Sequence, residues 1–407
     1  MQILHKTVLS PGLLVLTFCI LMTAFSRGMG ETYGVFLVPL SEHFNWERAA
    51  VTSVYSIYML SLGFGSLIAG MVFDKFGARI IYLVGTACLA ISYSMAVFLE
   101  NLFQFYLFIG LFGGLGAAMI GIIPAQSLIS RWFNRRLGTA LSLAYAGQGL
   151  GTFIMAPTAQ FFIAWFGWSK AYSYAGICFF ILLILITILP WKAISEGANN
   201  NPRRAEGGKP AGGPSLLEGL KTSSFWGFFF IFGITAFSIF GVSLQIVAYL
   251  VDYGFSETES ALCFGFVGML AFPGMALTGL AADKWPRHLV ASVSYALSLL
   301  GIGALALIQI SPNWALLTVF MIGFGLSAGA RGPIITTLMA ELFAGRGLAS
   351  IYGASNLGQG LGAAIGAFSS GLLYDLTGNY NTGFLLYSCL VLVAASLFWL
   401  IPEIRKA

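Results

Sequence analysis

Apolar runs of about 20 residues recur from one end of this 407-residue chain to the other. A helix rises about 1.5 Å per residue, so each run is long enough to cross the ~30 Å hydrocarbon core of a bilayer. Short polar and turn-forming segments separate them. The alternation predicts helices over 11–39, 46–73, 78–98, 103–130, 136–163 and 168–190, then over 225–252, 257–281, 288–309, 314–340, 346–374 and 380–402. That makes twelve, in two groups of six. One long polar stretch, 191–221, divides the groups. It holds Asn199-Asn200-Asn201-Pro202-Arg203-Arg204 and a Gly/Pro-rich run to Pro214. Such a composition cannot bury a core and reads as a flexible linker. The expected organisation is an N-terminal six-helix bundle over 1–190, a cytoplasmic linker over 191–221 and a C-terminal six-helix bundle over 222–407.

The two groups repeat each other. Gly70-Met71-Val72-Phe73-Asp74-Lys75-Phe76-Gly77-Ala78-Arg79 follows helix 2, and Gly279-Leu280-Ala281-Ala282-Asp283-Lys284-Trp285-Pro286-Arg287 follows helix 8. Gly147-Gln148-Gly149-Leu150-Gly151 in helix 5 returns as Gly358-Gln359-Gly360-Leu361-Gly362 in helix 11. Matched halves of this kind characterise transporters whose halves rock about a central site. The fold class expected is therefore all-α and integral to the membrane, with twelve transmembrane helices in two pseudo-symmetric six-helix bundles. The glycine runs allow close helix packing in lipid. They lie mid-helix without a following Lys-Ser/Thr, so they are no phosphate loop. The Asp-Lys turns, with Asp74, Lys75, Arg79, Asp283 and Lys284, can form a charge cluster that gates the halves at the cytoplasmic face.

Composition narrows the class. The chain is 58% hydrophobic and 9% charged, with a mean hydropathy of +0.87, against about 25% charged in soluble domains. The net charge of +5 is no nucleic-acid footprint. Sixteen of the 20 Lys and Arg residues fall on the side carrying the linker and both termini; Arg48 and Lys170 fall opposite, and Arg27 and Arg331 within spans. This positive-inside bias places both termini and the linker in the cytoplasm. Helix 1 is long and carries no small-residue cleavage pattern, so it is expected to be a span and not a cleavable signal. The absence of an Asn-x-Ser/Thr sequon favours a prokaryotic source, hence a bacterial inner (plasma) membrane. The five cysteines show no metal or redox spacing. The three histidines, His5, His43 and His288, sit at helix ends or in loops, away from any proton relay. No catalytic constellation, cofactor or metal is expected, and the chain is not read as an enzyme.

These motifs resemble the major facilitator superfamily. The Gly-x-x-x-Asp-Lys-x-Gly-x-Arg motif, its echo after helix 8 and the six-plus-six layout carry the likeness along the whole chain. Within it the chain most resembles the branch of monocarboxylate transporters and oxalate/formate antiporters. The segment from Tyr33 through Pro39 and Trp46 to Ala49 carries that likeness, as does Arg131-Trp132-Phe133-Asn134-Arg135-Arg136-Leu137-Gly138-Thr139-Ala140 running towards Pro157. The resemblance implies alternating access, with helices 1, 4, 7 and 10 lining a central cavity, and a monomeric functional unit. It also implies a Gly-Arg pair in helix 8 whose Arg holds the substrate carboxylate. Here the pair reads Gly274-Met275, so an anion needs a cation from elsewhere.

Arg27 in helix 1 and Arg331 in helix 10 are the candidates. A guanidinium at bilayer depth costs about 2.5–3.5 kcal/mol on insertion scales and is tolerated facing protein or a water-filled cavity. The two helices belong to opposite halves, so the arginines could grip a carboxylate each, or both ends of a dianion. In the repeat, Arg331 corresponds to Ile120, which breaks the symmetry. Glu31 lies one turn after Arg27. It either neutralises Arg27 structurally or serves as the proton-coupling carboxylate that frees Arg27 for substrate. Polar residues on the expected cavity helices, Gln126, Gln245 and Tyr33, are further candidates, as are Tyr55, Tyr58, Gln148, Tyr352, Asn356 and Gln359 on flanking helices. The expected function is secondary active transport of a small organic anion, a mono- or dicarboxylate, across the plasma membrane by alternating access with proton symport. A co-transported proton cancels the charge that an inside-negative potential opposes. Carboxylate exchange and drug or metabolite efflux are alternatives. Ala156-Pro157-Thr158-Ala159-Gln160 lacks the Gly-Pro-x-x-Gly-Gly element of drug antiporters, which disfavours efflux.

Overall fold

A computed structural model describes residues 11–133, 137–196, 214, 216–282, 284–343, 348–402 and 405. The helices of the first half are α1 (Pro11–Phe44), α2 (Arg48–Gly70), α3 (Phe76–Phe98), α4 (Leu102–Ile129), α5 (Leu137–Phe166) and α6 (Trp168–Ile188). Those of the second are α7 (Ser223–Asp252), α8 (Glu257–Ala282), α9 (Arg287–Ile308), α10 (Trp314–Ala328 continuing as Arg331–Leu342), α11 (Leu348–Thr377) and α12 (Asn381–Leu400). Among the described residues, ten of these, all but α10 and α11, are long and apolar enough to cross a bilayer. The α10 span divides in two, and α11 is diluted by Gly, Ser, Asn and Gln.

Local chemistry sets the helix ends. Thr222 caps α7 by accepting from the Phe225 N–H at 3.2 Å. Asn101 and Gln104 form a reciprocal capping box before α4. Gly77 joins α2 to α3 at φ +80° and ψ 176°, a conformation that only glycine adopts without strain. Here the predicted Asp-Lys turn proves to be a kink between continuous helices.

Three helices are interrupted along their length: α4 breaks at Gly121, where ψ is −151°, while α1 at Thr32 and α10 at Gly329 and Ala330 lose the regular ladder but keep helical dihedrals. Gly121 and Gly332 are related by the internal repeat. Interrupted backbone at membrane depth is tolerated where it is buried in protein or lines a cavity.

The glycine runs hold the bundle at closest approach, and their alternation separates two interfaces. A Cβ at Gly151 would lie 2.2 Å from the Ala24 carbonyl oxygen on α1, and one at Gly362 would lie 1.9 Å from the Gly233 oxygen on α7. Those contacts are within each half. The intervening glycines face the other half: Gly149 sits under the Gly268 carbonyl on α8, and Gly360 lies against Gly63 on α2. At these two points the halves meet backbone to backbone.

Candidate functional site

Between the halves lies a cavity of about 400 Å³. Its two walls differ in chemistry. The first half presents Arg27, Glu31, Tyr55, Gln126, Tyr145, Gln148 and Thr152. The second presents mainly Phe232, Ala236, Ile239, Phe240, Leu244, Phe264, Val267, Ala271 and Met275, with Thr235, Ser243, Arg331 and Gln359 as its polar members.

Arg331 opens the second segment of α10, directly after the interruption, and is 3% exposed. Its Nε donates to Ser294 Oγ at 3.3 Å, and its Nη2 donates to the Ser294 carbonyl at 3.4 Å and to Ser298 Oγ. Ser294 and Ser298 stand one turn apart on α9, so one helix face supplies both. The guanidinium carbon lies 4.4 Å from the Tyr295 ring centroid, a cation–π distance. Tyr295 is fixed by a 2.7 Å hydroxyl contact with Thr235 on α7. No carboxylate pairs with Arg331 among the described residues, and Nη1 is buried without a hydrogen-bond partner there.

Arg27 is arranged differently. Its Nη2 lies 3.1 Å from Glu31 Oε1, and Glu31 Oε2 accepts from Thr152 Oγ1 at 3.1 Å. The guanidinium carbon lies 5.7 Å from the Phe240 ring of the opposite half. Nε is buried with no hydrogen-bond partner among the described residues. The Arg27–Glu31 contact considered from spacing is thus formed, and it is anchored to α5.

The remaining candidates divide. Gln126, Tyr55, Gln148 and Gln359 line the cavity, and Gln126 Nε2 donates to Tyr145 Oη at 2.9 Å. The structure does not bring Tyr33, Tyr58, Gln245 or Asn356 to the wall. Tyr33 donates to the Val51 carbonyl at 2.8 Å, and Tyr58 points to the Ser26 carbonyl at 3.4 Å. Both rings stack on Tyr55, at 5.7 and 5.6 Å, and back it from behind. Gln245 is 3% exposed and faces a smaller void beside Tyr374 and Tyr380. The side chains of Tyr352, Asp74 and Lys75 lie outside the described residues, as does Asp283 entirely. Arg79 and Lys284 are exposed.

Sequence reasoning missed Tyr145 and Thr152. With Gln148 they recur at three- and four-residue spacing, a polar stripe on one face of α5 that was available as a signal. It also passed over Arg48 at the end of the bundle opposite the linker. Arg48 Nη2 donates to Asp252 Oδ2 on α7 at 2.8 Å, and Nη1 donates to Tyr380 Oη. Its guanidinium carbon lies 3.8 Å from the Tyr374 ring centroid. Asp375 accepts from the Arg48 and Ala49 backbone N–H groups at 3.1 and 2.6 Å, capping α2 from the other half. Tyr380 Oη donates to Asp252 at 2.5 Å; burial raises this phenol above its ordinary pKa and keeps it a donor. A second bridge joins Gln160 Nε2 on α5 to Glu257 Oε2 on α8 at 2.6 Å. The halves are tied together at this end.

The fold is shared with solved transporters. The nucleoside transporter NupG superposes with a TM-score of 0.76 at 15% identity, covering 96% of this chain and 99% of that one. The xylose transporter XylE from E. coli gives 0.72 at 13% identity, with 96% and 99% covered. Similar sequences include monocarboxylate transporter 13 of Bos taurus, 26% identical over 397 residues, covering 96% of this chain and 89% of that one. Monocarboxylate transporter 11 of Homo sapiens is 26% identical over 410 residues, covering 96% and 83%. Residues 16–347 and 282–407 match the Major Facilitator Superfamily, and with the two six-helix halves and the cavity between them the chain belongs to that superfamily of membrane transporters.

Proposed function

We propose that the protein is a secondary transporter that moves a small organic anion, a mono- or dicarboxylate, across the plasma membrane by alternating access with proton symport. The observation that carries this reading is Arg331: a buried cation at a helix interruption, lining the central cavity, with one guanidinium nitrogen unsatisfied. A carboxylate supplies both the missing acceptor and the missing charge. Its sequence likeness to monocarboxylate transporters supports the same class. Glu31 provides the coupling step: protonation weakens its hold on Arg27, which becomes a second cation for the anion while the proton travels as co-substrate. Tyr55, Gln126 and Gln359 complete the polar contacts. The Asp74, Lys75 and Arg79 cluster, with Asp283 and Lys284, gates the cytoplasmic end of a monomeric functional unit. The positive-inside bias along the chain supports an orientation with both termini cytoplasmic, in a membrane we read as a bacterial inner membrane.

The test is uptake of labelled mono- and dicarboxylates into proteoliposomes under an imposed pH gradient. Acid outside is expected to drive accumulation, and Arg331→Ala to abolish it. Equal anion uptake through Arg331→Ala would sink the reading of the site. Uptake that ignores pH but requires an internal anion would replace symport with exchange.

A further inference from the structure

Resting on the carboxylate reading above, we infer that the substrate is amphipathic: its carboxylate meets Arg331 while an aliphatic or aromatic body lies against the α7–α8 wall. That wall carries Ile239, Phe240, Phe264, Val267 and Met275, side chains without a strong hydrogen-bonding group, with Thr235 and Ser243 on α7 as its polar members, Thr235 already engaged by Tyr295. A two- or three-carbon acid carries only one or two carbons beyond its carboxylate. Placed at Arg331, it leaves this wall facing water and leaves most of a cavity of about 400 Å³ filled with solvent. That volume falls in the range of pockets that enclose drug-sized ligands, roughly 300–1,000 Å³.

The division of the walls also orients the ligand. The first half offers donors and acceptors along its face. On the second half, Arg331 is the cation among the described wall residues, and it sits on α10 beside the apolar patch. An anion held there has its non-polar end directed along α7 and α8. Met275 suits such a body, because an unbranched thioether adapts to irregular apolar shapes. Each methylene fully buried is worth about fourfold in affinity, which makes chain length the natural probe.

The experiment is calorimetric titration of the purified full-length protein with acetate, butyrate, hexanoate and phenylacetate, together with phenylacetamide as the neutral counterpart. Affinity is expected to rise with each added methylene by up to about fourfold, with phenylacetate near hexanoate and phenylacetamide at least about tenfold weaker than phenylacetate. A flat series from acetate to hexanoate overturns the amphipathic assignment and leaves the carboxylate reading standing. Phenylacetamide binding as tightly as phenylacetate overturns the carboxylate reading itself, whatever the slope. A second variant separates the wall from general folding. Val267→Thr keeps the side-chain shape and adds a hydroxyl. It is expected to weaken hexanoate several-fold and leave acetate unchanged; equal weakening of both acids places the body of the ligand elsewhere and removes the inference.

Discussion

Arg27 and Arg331 enter one cavity from opposite halves, yet they meet the cost of a buried charge in different ways. Arg27 brings its counter-charge on its own helix. Its ion pair with Glu31 is complete at 3.1 Å, and Thr152 braces it. Arg331 has no carboxylate partner among the described residues. Two serines on α9 and the face of Tyr295 hold it; each arginine keeps one nitrogen without a hydrogen-bond partner among the described residues, Nη1 here and Nε in Arg27, so the missing carboxylate is what separates them. Neutral dipoles and a ring stabilise a cation only in part, and the proposed function rests on a carboxylate completing that stabilisation. A completed ion pair must be opened before it binds anything. Under the proposed function the two arginines differ in compensation: Arg27 already has its carboxylate, and Arg331 is the one open to a carboxylate from the cavity.

The largest effect that tests the comparison is therefore at Arg331. Arg331→Ala is expected to reduce carboxylate uptake by about two orders of magnitude or more, since truncating one side of a buried charge pair costs 2–5 kcal/mol or more. Arg331→Lys should restore only part of it: an ammonium keeps the charge but cannot span Ser294 and Ser298 while leaving a second planar donor free. Uptake per folded protein, with the folded fraction read by size-exclusion chromatography, checks both. If Arg27→Ala proves as damaging as Arg331→Ala while Glu31 is intact, the distinction between the two arginines collapses.

The next effect is on coupling and not on binding. Glu31→Gln keeps an acceptor near Arg27 and Thr152 but cannot exchange a proton. Accumulation driven by a one-unit pH gradient, up to about tenfold in the unmodified protein by its free-energy equivalent of ~1.4 kcal/mol, is expected to vanish. Exchange of labelled for unlabelled anion across the same membrane should persist. Loss of both activities together would make Glu31 a structural partner of Arg27 alone.

The fold was legible because lipid imposes its own grammar. A span must be about 20 apolar residues long, and helices that approach closely need glycine at repeated positions. The Gly147–Gly151 and Gly358–Gly362 runs show both requirements in one stretch. The charged members of the site were legible for a related reason: Arg27, Glu31 and Arg331 are conspicuous against an apolar background. The uncharged members were not. Whether Tyr33, Tyr55 or Tyr58 reaches the cavity depends on helix rotation and on the interruption at Thr32, and only Tyr55 does. The Ser294–Ser298 cradle was invisible because serine one turn apart on a membrane helix is ordinary. The contacts of Arg48 were hidden for a different reason. They join residues more than 200 positions apart, and charge counting assigns such a residue to a loop without asking what faces it.

Arg48 supplies the smallest expected effect and the control for the comparison. Like Arg27 it is carboxylate-paired, but it stands at the rim, where Asp252 is 33% exposed. A pair open to water contributes only about 0.2–1 kcal/mol, so Arg48→Ala should shift the balance between open and closed rim by a few-fold. It should not abolish binding of an anion at Arg331. The Asp375 contacts run to the backbone of Arg48 and Ala49 and survive the substitution, which limits the loss further. Cysteines placed at Gln160 on α5 and Glu257 on α8, whose side chains meet across the closed rim at 2.6 Å, report the shift through their rate of cross-linking by a short bifunctional reagent. A modest slowing with carboxylate binding retained is the expected result. A loss of binding as deep as that of Arg331→Ala would mean that the rim shapes the cavity directly. Compensation by a carboxylate would then no longer separate the paired arginines from the one proposed to meet the substrate.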